Sequence, residues 1–412
     1  MTRTLVIAGH GMIGHRVATD VLAGDTAGEW RVTVLAEESR PAYNRVALST
    51  YLGGRAASAL TLARPGFLDD PRLDLRLSTP VAAIDRGSRT VKTADGTVVP
   101  YDALVLATGS RPFVPPVPGH DLPGCFVYRT LDDLDAIRAA AEGSEGRPGV
   151  VIGGGLLGLE AAGALRKLGM KVHVVEMAPR LMAVQLDQGG GDILARMIRD
   201  MGVEVRCSAV TEAVEAGPDG SVAGVRLADG TLVETDLVVF SAGIRPRDEL
   251  AEQAGLRRAE RGGFLVDNRL RTEDDRIWAV GECAAVEGRC YGLATPGYQM
   301  AKVVVEQLLA TGGTTDDAAG SVFDGADMST KLKLLGVDVA SIGDAHATTP
   351  GAIEYVEADP AAGTYAKLVL AEDGRTLLGG VLAGDAKPYP LLRSLLNREL
   401  PAPVDQMLTW KP

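Results

Sequence analysis

The chain has 412 residues and a formal net charge of −12, and 46% of its residues are hydrophobic while 4% are aromatic. Because this length exceeds one ordinary hydrophobic core, two or three domains are expected. The acidic balance and the few aromatic rings disfavour nucleic acid and anionic membranes as partners. The sequence contains neither a signal-peptide pattern nor an apolar run of bilayer length, which predicts a cytoplasmic protein.

The first apolar run, residues 5–8, is typical of a buried strand and is followed by glycines spaced as G-x-G-x-x-G. Gly9 allows a tight turn, Gly11 leaves room for a pyrophosphate beside the backbone, and Gly14 lets a helix pack on the strand. The amides at that helix start would face the pyrophosphate, and Glu37 after the next strand would accept hydrogen bonds from a ribose. This order of elements predicts a dinucleotide site.

The same arrangement returns in the middle of the chain, where Gly153, Gly155 and Gly158 follow another apolar strand. The next strand delivers Glu176, close to the usual offset of about 20 residues for the acid that binds a ribose. A carboxylate there repels a 2′-phosphate, so NADH is predicted over NADPH, although nearby Arg180 leaves the strictness of that preference open. Two such sites suggest one resident and one visiting nucleotide, for which FAD and NADH are the obvious pair.

Three more strand-like runs, residues 104–107, 236–242 and 277–280, each lead into a small-residue or acidic turn. Together with the two glycine turns they resemble the pyridine nucleotide-disulfide oxidoreductase superfamily. The resemblance implies an α/β fold with two Rossmann-like dinucleotide-binding domains, the first of which is split by the second. It places the FAD-binding domain at residues 1–115 and 245–318 and the NAD-binding domain at residues 116–244.

In that superfamily the first site holds FAD and the second holds NAD(H), which implies contacts from individual residues of this chain. The implied FAD-binding residues are Gly9, Gly11, Gly14, Glu37, Arg45, Val81, Thr108, Gly109, Gly281, Glu282, Gly297 and Tyr298. The implied NAD-binding residues are Gly153, Gly155, Gly158, Glu176 and Gly243. Glu282 stands where the superfamily usually has an aspartate for the ribityl chain of the flavin. Gly297 and Tyr298 lead into a helix predicted over 300–309.

Residues 38–49 hold no cysteine, whereas disulfide reductases of the superfamily carry a redox pair of cysteines in this segment. Electrons are therefore expected to leave the flavin without a protein thiol. The segment resembles the P-Y-x-R-P-x-L-S-K stretch of ferredoxin and rubredoxin reductases, in which an arginine matching Arg45 lies beside the flavin. Thr50 replaces the lysine of that stretch, which leaves two interpretations of Glu160 open: a catalytic residue at the nicotinamide, or an ordinary helix residue.

A narrower resemblance extends over nearly the whole chain. RPAYNRVALSTYL, LATGSRPFVPPVPGHDLPGCFVYRTLDDLDAI and DMSTKLKLLGVDVASIGD are similar to the FAD/NAD portion of the assimilatory NADH nitrite reductase large subunit and to the related nitrate reductase electron-transfer subunit. The full nitrite reductase subunit continues into iron–sulfur and sirohaem domains. Four scattered cysteines cannot ligate two such clusters, so nitrite reduction by this chain alone is not expected. No metal-ligand spacing occurs either, and no bound metal is predicted.

After a polar, glycine-rich linker at residues 311–320, the pattern predicts a small α+β domain over residues 321–412. Strands are predicted at 332–335, 337–342, 353–356, 367–370 and 378–382, and a helix at 389–396. In the families that the chain resembles, this domain covers the flavin and often contributes to a dimer, which allows a homodimer here.

The sequence thus predicts an FAD-dependent NADH:acceptor oxidoreductase that feeds an iron–sulfur or haem partner in nitrite or nitrate assimilation. Two alternatives remain open at this stage. One is a ferredoxin or rubredoxin reductase that serves another pathway. The other is a flavin- and NAD-binding redox-signalling protein, because a fold alone does not define an activity.

Overall fold

The computed structural model describes residues 2–143, 146–310, 321–334 and 336–408. The chain divides into two compact units. The first consists of Met1–Ala47, Ala56–Arg111 and Ile244–Ala326, and the second of Leu48–Arg55, Pro112–Gly243 and Asp327–Pro412. The predicted linker at 311–320 lies outside the described residues, and the three domain boundaries stay predictions.

The first unit is built on a five-stranded parallel sheet. Its order is Ile277–Ala279, Ala103–Leu106, Arg3–Ala8, Trp30–Leu35 and Leu73–Arg76. The inner strands are near-continuous apolar runs, as expected of parallel strands covered on both faces. The helix Met12–Gly24 follows the first strand and buries Val17, Ala18 and Val21.

The helix Ala294–Leu309 packs on the helix Met12–Gly24 in the same unit. Trp30 donates its indole N–H to the Leu308 carbonyl oxygen at 3.1 Å, which ties the helix end to the sheet. The sequence predicts this helix only from residue 300. It begins six residues earlier because Pro296 lies in the first turn, where the N–H that proline lacks would have no intrahelical partner.

Smaller elements complete the first unit. An antiparallel sheet contains Val81–Asp85, Thr90–Thr93 and Val98–Pro100, and another small sheet contains Phe264–Val266, Ala284–Val286 and Arg289–Cys290. The remaining helical turns are Arg45–Ala47, Ala57–Leu60, Leu250–Ala254 and Gly281–Cys283. Two short strands, Ser110–Pro112 and Ile244–Pro246, occur where the chain leaves and re-enters this unit.

The second unit repeats the parallel sheet. Its order is Glu204–Arg206, Lys171–Val175, Pro148–Ile152, Leu237–Phe240 and Cys125–Val127. Its helices are Leu48–Leu52, Leu131–Ala141, Leu156–Lys167 and Gln188–Asp200, and an antiparallel sheet contains Thr211–Ala216, Val222–Leu227 and Leu232–Glu234. Two parallel sheets of this kind confirm the predicted α/β class with two Rossmann-like arrangements.

The second unit also contains a five-stranded antiparallel sheet from the end of the chain. Its order is Thr330–Leu334, Val337–Gly343, Leu377–Ala383, Thr364–Leu370 and Ile353–Asp359, with helices Tyr389–Ser394 and Val404–Leu408. All five strands coincide with the runs predicted from sequence, although several are longer. No helix in the described part of the chain combines the length and apolarity needed to cross a bilayer.

Candidate dinucleotide-binding sites

The first glycine turn (Gly9–Gly14) connects the strand Arg3–Ala8 to its helix. Gly9 has φ +109°, and a Cβ on it would lie 2.3 Å from the Ala107 carbonyl oxygen. A Cβ on Gly14 would lie 2.1 Å from the Gly9 carbonyl oxygen. A Cβ on Gly11, in contrast, would meet no atom within 4 Å. The fold itself therefore requires Gly9 and Gly14, whereas the space beside Gly11 is open, as a bound pyrophosphate would need.

A cavity of about 330 Å³ opens beside this turn at the carboxyl ends of the parallel strands. That edge of a doubly wound sheet is where ligands bind. The cavity brings together Gly9, Glu37, Val81 and Thr108, four residues that the resemblance assigns to FAD. Its lining also includes two arginines and a second glutamate that the sequence does not point to: Arg111, Arg247 and Glu249.

Arg247 is the main addition that the structure makes to this site. Its guanidinium pairs with the Glu37 carboxylate, its backbone N–H donates to the Gly109 carbonyl oxygen at 2.9 Å, and its carbonyl oxygen accepts from Thr108 Oγ1 at 2.6 Å. Glu37, the Thr108–Gly109 turn and the chain that re-enters this unit at Ile244 are thereby joined. In the sequence, Arg247 belongs to the stretch GIRPRDEL, which contains two arginines. Its contact with Glu37 could not be predicted because the two residues are 210 positions apart.

Other residues assigned to FAD lie in the same unit but do not line that cavity. Arg45 pairs with Glu38, and its guanidinium lies 5.2 Å from the centre of the Tyr43 ring. Glu282 accepts a hydrogen bond from Ser110 Oγ at 2.7 Å. Gly281 and Gly297 both face the side chain of Ile13: a Cβ on Gly281 would lie 3.3 Å from it and one on Gly297 would lie 2.7 Å from it. Tyr298, next to Gly297, is half-buried.

The second glycine turn (Gly153–Gly158) repeats the geometry of the first. A Cβ on Gly153, which has φ +117°, would lie 2.3 Å from the Ser241 carbonyl oxygen, and one on Gly158 would lie 1.9 Å from the Gly153 carbonyl oxygen. A Cβ on Gly155 would again meet nothing within 4 Å. Gly243 has φ +115° and accepts a hydrogen bond from the Phe113 N–H at 2.9 Å. The second turn thus has the same open position for a phosphate group.

Glu176 is held at this turn by backbone amides. Its carboxylate accepts from the Gly154 N–H at 2.5 Å and from the Ala178 N–H at 2.7 Å. The guanidinium of Arg180 turns toward its own loop, where it donates to the carbonyl oxygens of Leu186 at 2.7 Å and Ala183 at 3.4 Å. The acid predicted to bind the ribose is therefore held by backbone amides, while the neighbouring Arg180 donates to backbone carbonyl oxygens.

Glu160 lies on the helix Leu156–Lys167, against which the helix Leu48–Leu52 packs. Thr50 occupies that second helix, so the position of the missing lysine and Glu160 belong to neighbouring helices. Burial raises the pKa of Glu160 to about 7. The hydroxyl of nearby Tyr128 is buried and has no hydrogen-bond partner among the described residues, and burial followed by the charge of Glu160 raises its pKa.

The four thiols are dispersed, and none is in a disulfide. Cys283 is fully buried, and its sulfur donates to the Val280 and Leu106 carbonyl oxygens at 3.3 and 3.4 Å. Burial raises the pKa of all four, to about 11 for Cys125 and for Cys290, whose residue is exposed while its sulfur packs on Gly262 and Gly263. No cluster of three potential metal ligands occurs within the described ranges.

Comparison with known proteins agrees with this geometry. The family model of pyridine nucleotide-disulphide oxidoreductases matches residues 3–307, and that of the rubredoxin NAD+ reductase C-terminal domain matches residues 329–400. The chain belongs to the pyridine nucleotide-disulphide oxidoreductase family, as its resemblance predicted. Members of this enzyme family use FAD and NAD(P)H.

Among individual relatives, the nitrite reductase [NAD(P)H] large subunit of Klebsiella oxytoca is 52% identical over 95% of this chain and 40% of its own length. The assimilatory nitrate reductase electron transfer subunit of Bacillus subtilis (strain 168) is 33% identical over 96% of this chain and 49% of its own length. The chain thus spans about half or less of these curated relatives.

Among solved structures, the ferredoxin reductase for the CYP199A2 system from Rhodopseudomonas palustris is similar over 97% of this chain and 96% of its own length. Its TM-score is 0.84 and its sequence identity is 28%. The predicted similarity to nitrite and nitrate reductase components and to ferredoxin reductases is confirmed by these matches.

Proposed function

We propose that this chain is an NADH:acceptor oxidoreductase that holds FAD at the first glycine turn and binds NADH at the second. In this proposal residues 1–115 and 245–318 form the FAD-binding domain, residues 116–244 the NAD-binding domain, and residues 321–412 the C-terminal domain. The electrons pass to an iron–sulfur or haem protein of nitrite or nitrate assimilation. Bound FAD supplies a ring that takes a hydride and releases electrons one at a time.

The observation that carries the proposal is the pair of glycine turns, each with one open position. Two glycines in each turn avoid backbone collisions, while Gly11 and Gly155 border free space at a helix start. Helix N-terminal amides and the helix dipole favour a phosphate there. Two such sites in one chain support one resident and one exchanging dinucleotide.

The preference for NADH over NADPH is supported by Glu176 and Arg180. The fixed Glu176 carboxylate suits a free 2′-hydroxyl and opposes a 2′-phosphate. Arg180, the cation that would favour the phosphate, donates instead to two carbonyl oxygens of its own loop. Because Arg180 is engaged in this way, it does not counteract the preference for NADH that the Glu176 carboxylate would set.

The proposal is tested by anaerobic titration of the purified, FAD-reconstituted chain with NADH. We expect loss of the oxidised flavin absorbance at one equivalent of NADH per flavin, and a much slower loss with equimolar NADPH. Reduced protein mixed with a purified [2Fe–2S] protein or nitrate reductase should then recover its absorbance. A chain that takes up no flavin, or whose flavin NADH leaves oxidised, contradicts the proposal.

A second candidate is a ferredoxin or rubredoxin reductase outside nitrogen assimilation. It is favoured by the similarity to the Rhodopseudomonas palustris ferredoxin reductase, whose own length is matched over 96%. Comparing re-oxidation rates with a ferredoxin, a rubredoxin and a nitrite or nitrate reductase component separates the two. If the nitrite or nitrate reductase component re-oxidises the reduced chain fastest at equal concentration, the first proposal is supported. If the ferredoxin or rubredoxin does so, the second candidate is supported.

A further inference from the structure

Three consecutive glycines, Gly189–Gly191, begin the helix Gln188–Asp200, and each is opposed by a neighbour. A Cβ on Gly189 would lie 2.3 Å from the Tyr365 ring, and one on Gly190 would lie 2.7 Å from a methyl group of Val381. A Cβ on Gly191 would lie 2.8 Å from the Arg180 side chain. Two of these contacts, from Tyr365 and Val381, belong to the C-terminal antiparallel sheet. That sheet therefore packs directly on the first turn of the helix.

The same contact contains a cluster of charges around the buried Lys367, which includes Asp187, the N-cap residue of the helix. Its side chain accepts from the Gly190 N–H at 3.1 Å and from the Tyr365 hydroxyl at 2.5 Å. The Lys367 ammonium lies 3.0 Å from Asp187 and 3.0 Å from Glu354, and Lys367 is only 2% exposed. A buried ammonium is tolerated only when it is paired, which makes this arrangement sensitive to the loss of any member.

Asp187 also ends the segment that starts at the predicted ribose acid, here called the ribose segment (residues 176–187). At its beginning Glu176 accepts from the Gly154 N–H, and in its middle the Met182 N–H donates to the Gly154 carbonyl oxygen at 2.9 Å. Hydrogen bonds to Gly154 therefore hold the beginning and middle of the segment at the second glycine turn. Contacts of Asp187 with Tyr365 and Lys367 hold its end at the C-terminal sheet. His346, which follows a strand of that sheet, adds a contact at 2.9 Å from Nε2 to the Val184 carbonyl oxygen.

We propose that Tyr365 and Lys367 are positioning residues for the nucleotide site: by fixing Asp187 they hold the ribose segment, and with it Glu176, in the orientation that receives NADH. The inference rests on the proposed function, because it takes NADH as the occupant of the second glycine turn. It assigns the C-terminal sheet a role in substrate affinity. The contacts of these two side chains are with Asp187, Gly189 and Glu354, so we expect the limiting rate of hydride transfer to be unaffected.

The test compares Tyr365→Phe and Lys367→Arg with the unaltered FAD-loaded chain. Tyr365→Phe removes the hydroxyl that donates to Asp187 and keeps the ring that packs on Gly189. We expect it to raise the dissociation constant of NADH about tenfold while FAD content and the limiting rate of flavin reduction stay unchanged. A third variant, Lys367→Met, removes the charge and should weaken NADH binding in the same way. Lys367→Arg keeps the charge and should therefore bind NADH nearly as tightly as the unaltered chain.

Thr330→Val is the matched control, since it removes another buried hydroxyl contact of the same sheet, 2.9 Å from Thr330 Oγ1 to Ser341 Oγ. It should leave the NADH dissociation constant unchanged. If Tyr365→Phe and Lys367→Met bind NADH as tightly as Thr330→Val does, the inference is wrong while the proposed function stands. If the unaltered chain binds FAD but no NADH, the proposed function itself fails, and the inference with it.

Discussion

Glu160 is a half-buried carboxyl group with no ion pair in the described part of the chain, and burial raises its pKa from 4.5 to about 7. The folded state then holds this proton more tightly than the unfolded state, so the free energy of unfolding should fall as pH rises from about 4.5 to 7. Glu160→Gln removes that loss. We expect the variant to gain up to about 3 kcal/mol over the unaltered chain at pH 8 and nothing at pH 4.

Denaturant unfolding at both pH values checks this. Equal pH dependence in the two proteins would show that Glu160 is not the group concerned. A parallel measurement of the flavin reduction rate decides between its two interpretations. A helix residue leaves the rate unchanged in Glu160→Gln, whereas a residue at the nicotinamide lowers it.

At the scale of single residues, the sequence predicts those that belong to a local motif and misses those that depend on tertiary contact. Gly9, Gly11, Gly14 and Glu37 follow from strand, turn and spacing alone, and two of them, Gly9 and Glu37, line the first cavity. Arg247 could not be predicted in the same way. Its partner Glu37 is distant along the chain, and the two meet only because the backbone of Arg247 is held by the Thr108–Gly109 turn.

The glycine turns allow a prediction at the scale of the secondary-structure element. Gly14→Ala would place a Cβ 2.1 Å from a carbonyl oxygen, so we expect a loss of about 3 kcal/mol or more in the free energy of unfolding, with or without FAD. Gly11→Ala meets no atom and keeps φ near −75°, so it should fold normally. Its methyl group would instead enter the open space that we propose for the pyrophosphate.

We therefore expect Gly11→Ala to bind FAD at least tenfold more weakly, measured by quenching of flavin fluorescence in the apoprotein. Gly155→Ala and Gly158→Ala are the corresponding pair for NADH. FAD binding by Gly11→Ala that equals that of the unaltered chain would place the cofactor elsewhere.

Element boundaries were the least predictable feature at this scale. The helix predicted at 300–309 begins at Ala294. The prediction missed this first part because residues 294–299 lack the regular apolar spacing on which it depends. The strands of the C-terminal sheet were predicted in place, since each is a short β-branched or leucine-rich run between turn residues. Their order in the sheet has no local signal and came only from the structure.

For the whole molecule, the repeated strand, glycine turn and helix predicted both parallel sheets, and the resemblance carried by these and the later segments predicted the family. The seating of the C-terminal sheet on Gly189–Gly191 was not predicted. Three glycines at a helix start look like a weak helix or a loop in sequence, and their partners Tyr365 and Val381 are far along the chain. Such packing is visible only once the sheet has been formed.

The dispersed thiols have a practical consequence for the whole molecule. A cysteine with a pKa of about 11, as for Cys125 and Cys290, is a thiolate in roughly one molecule in ten thousand at pH 7. NADH-dependent reduction of ferricyanide should therefore survive iodoacetamide, and also arsenite, which needs two adjacent thiols. Inactivation by arsenite would contradict the thiol-free path of the electrons. If activity survives both reagents, the enzyme should also tolerate air and storage without reductant. It should likewise resist alkylating inhibitors that inactivate dithiol-dependent members of the family.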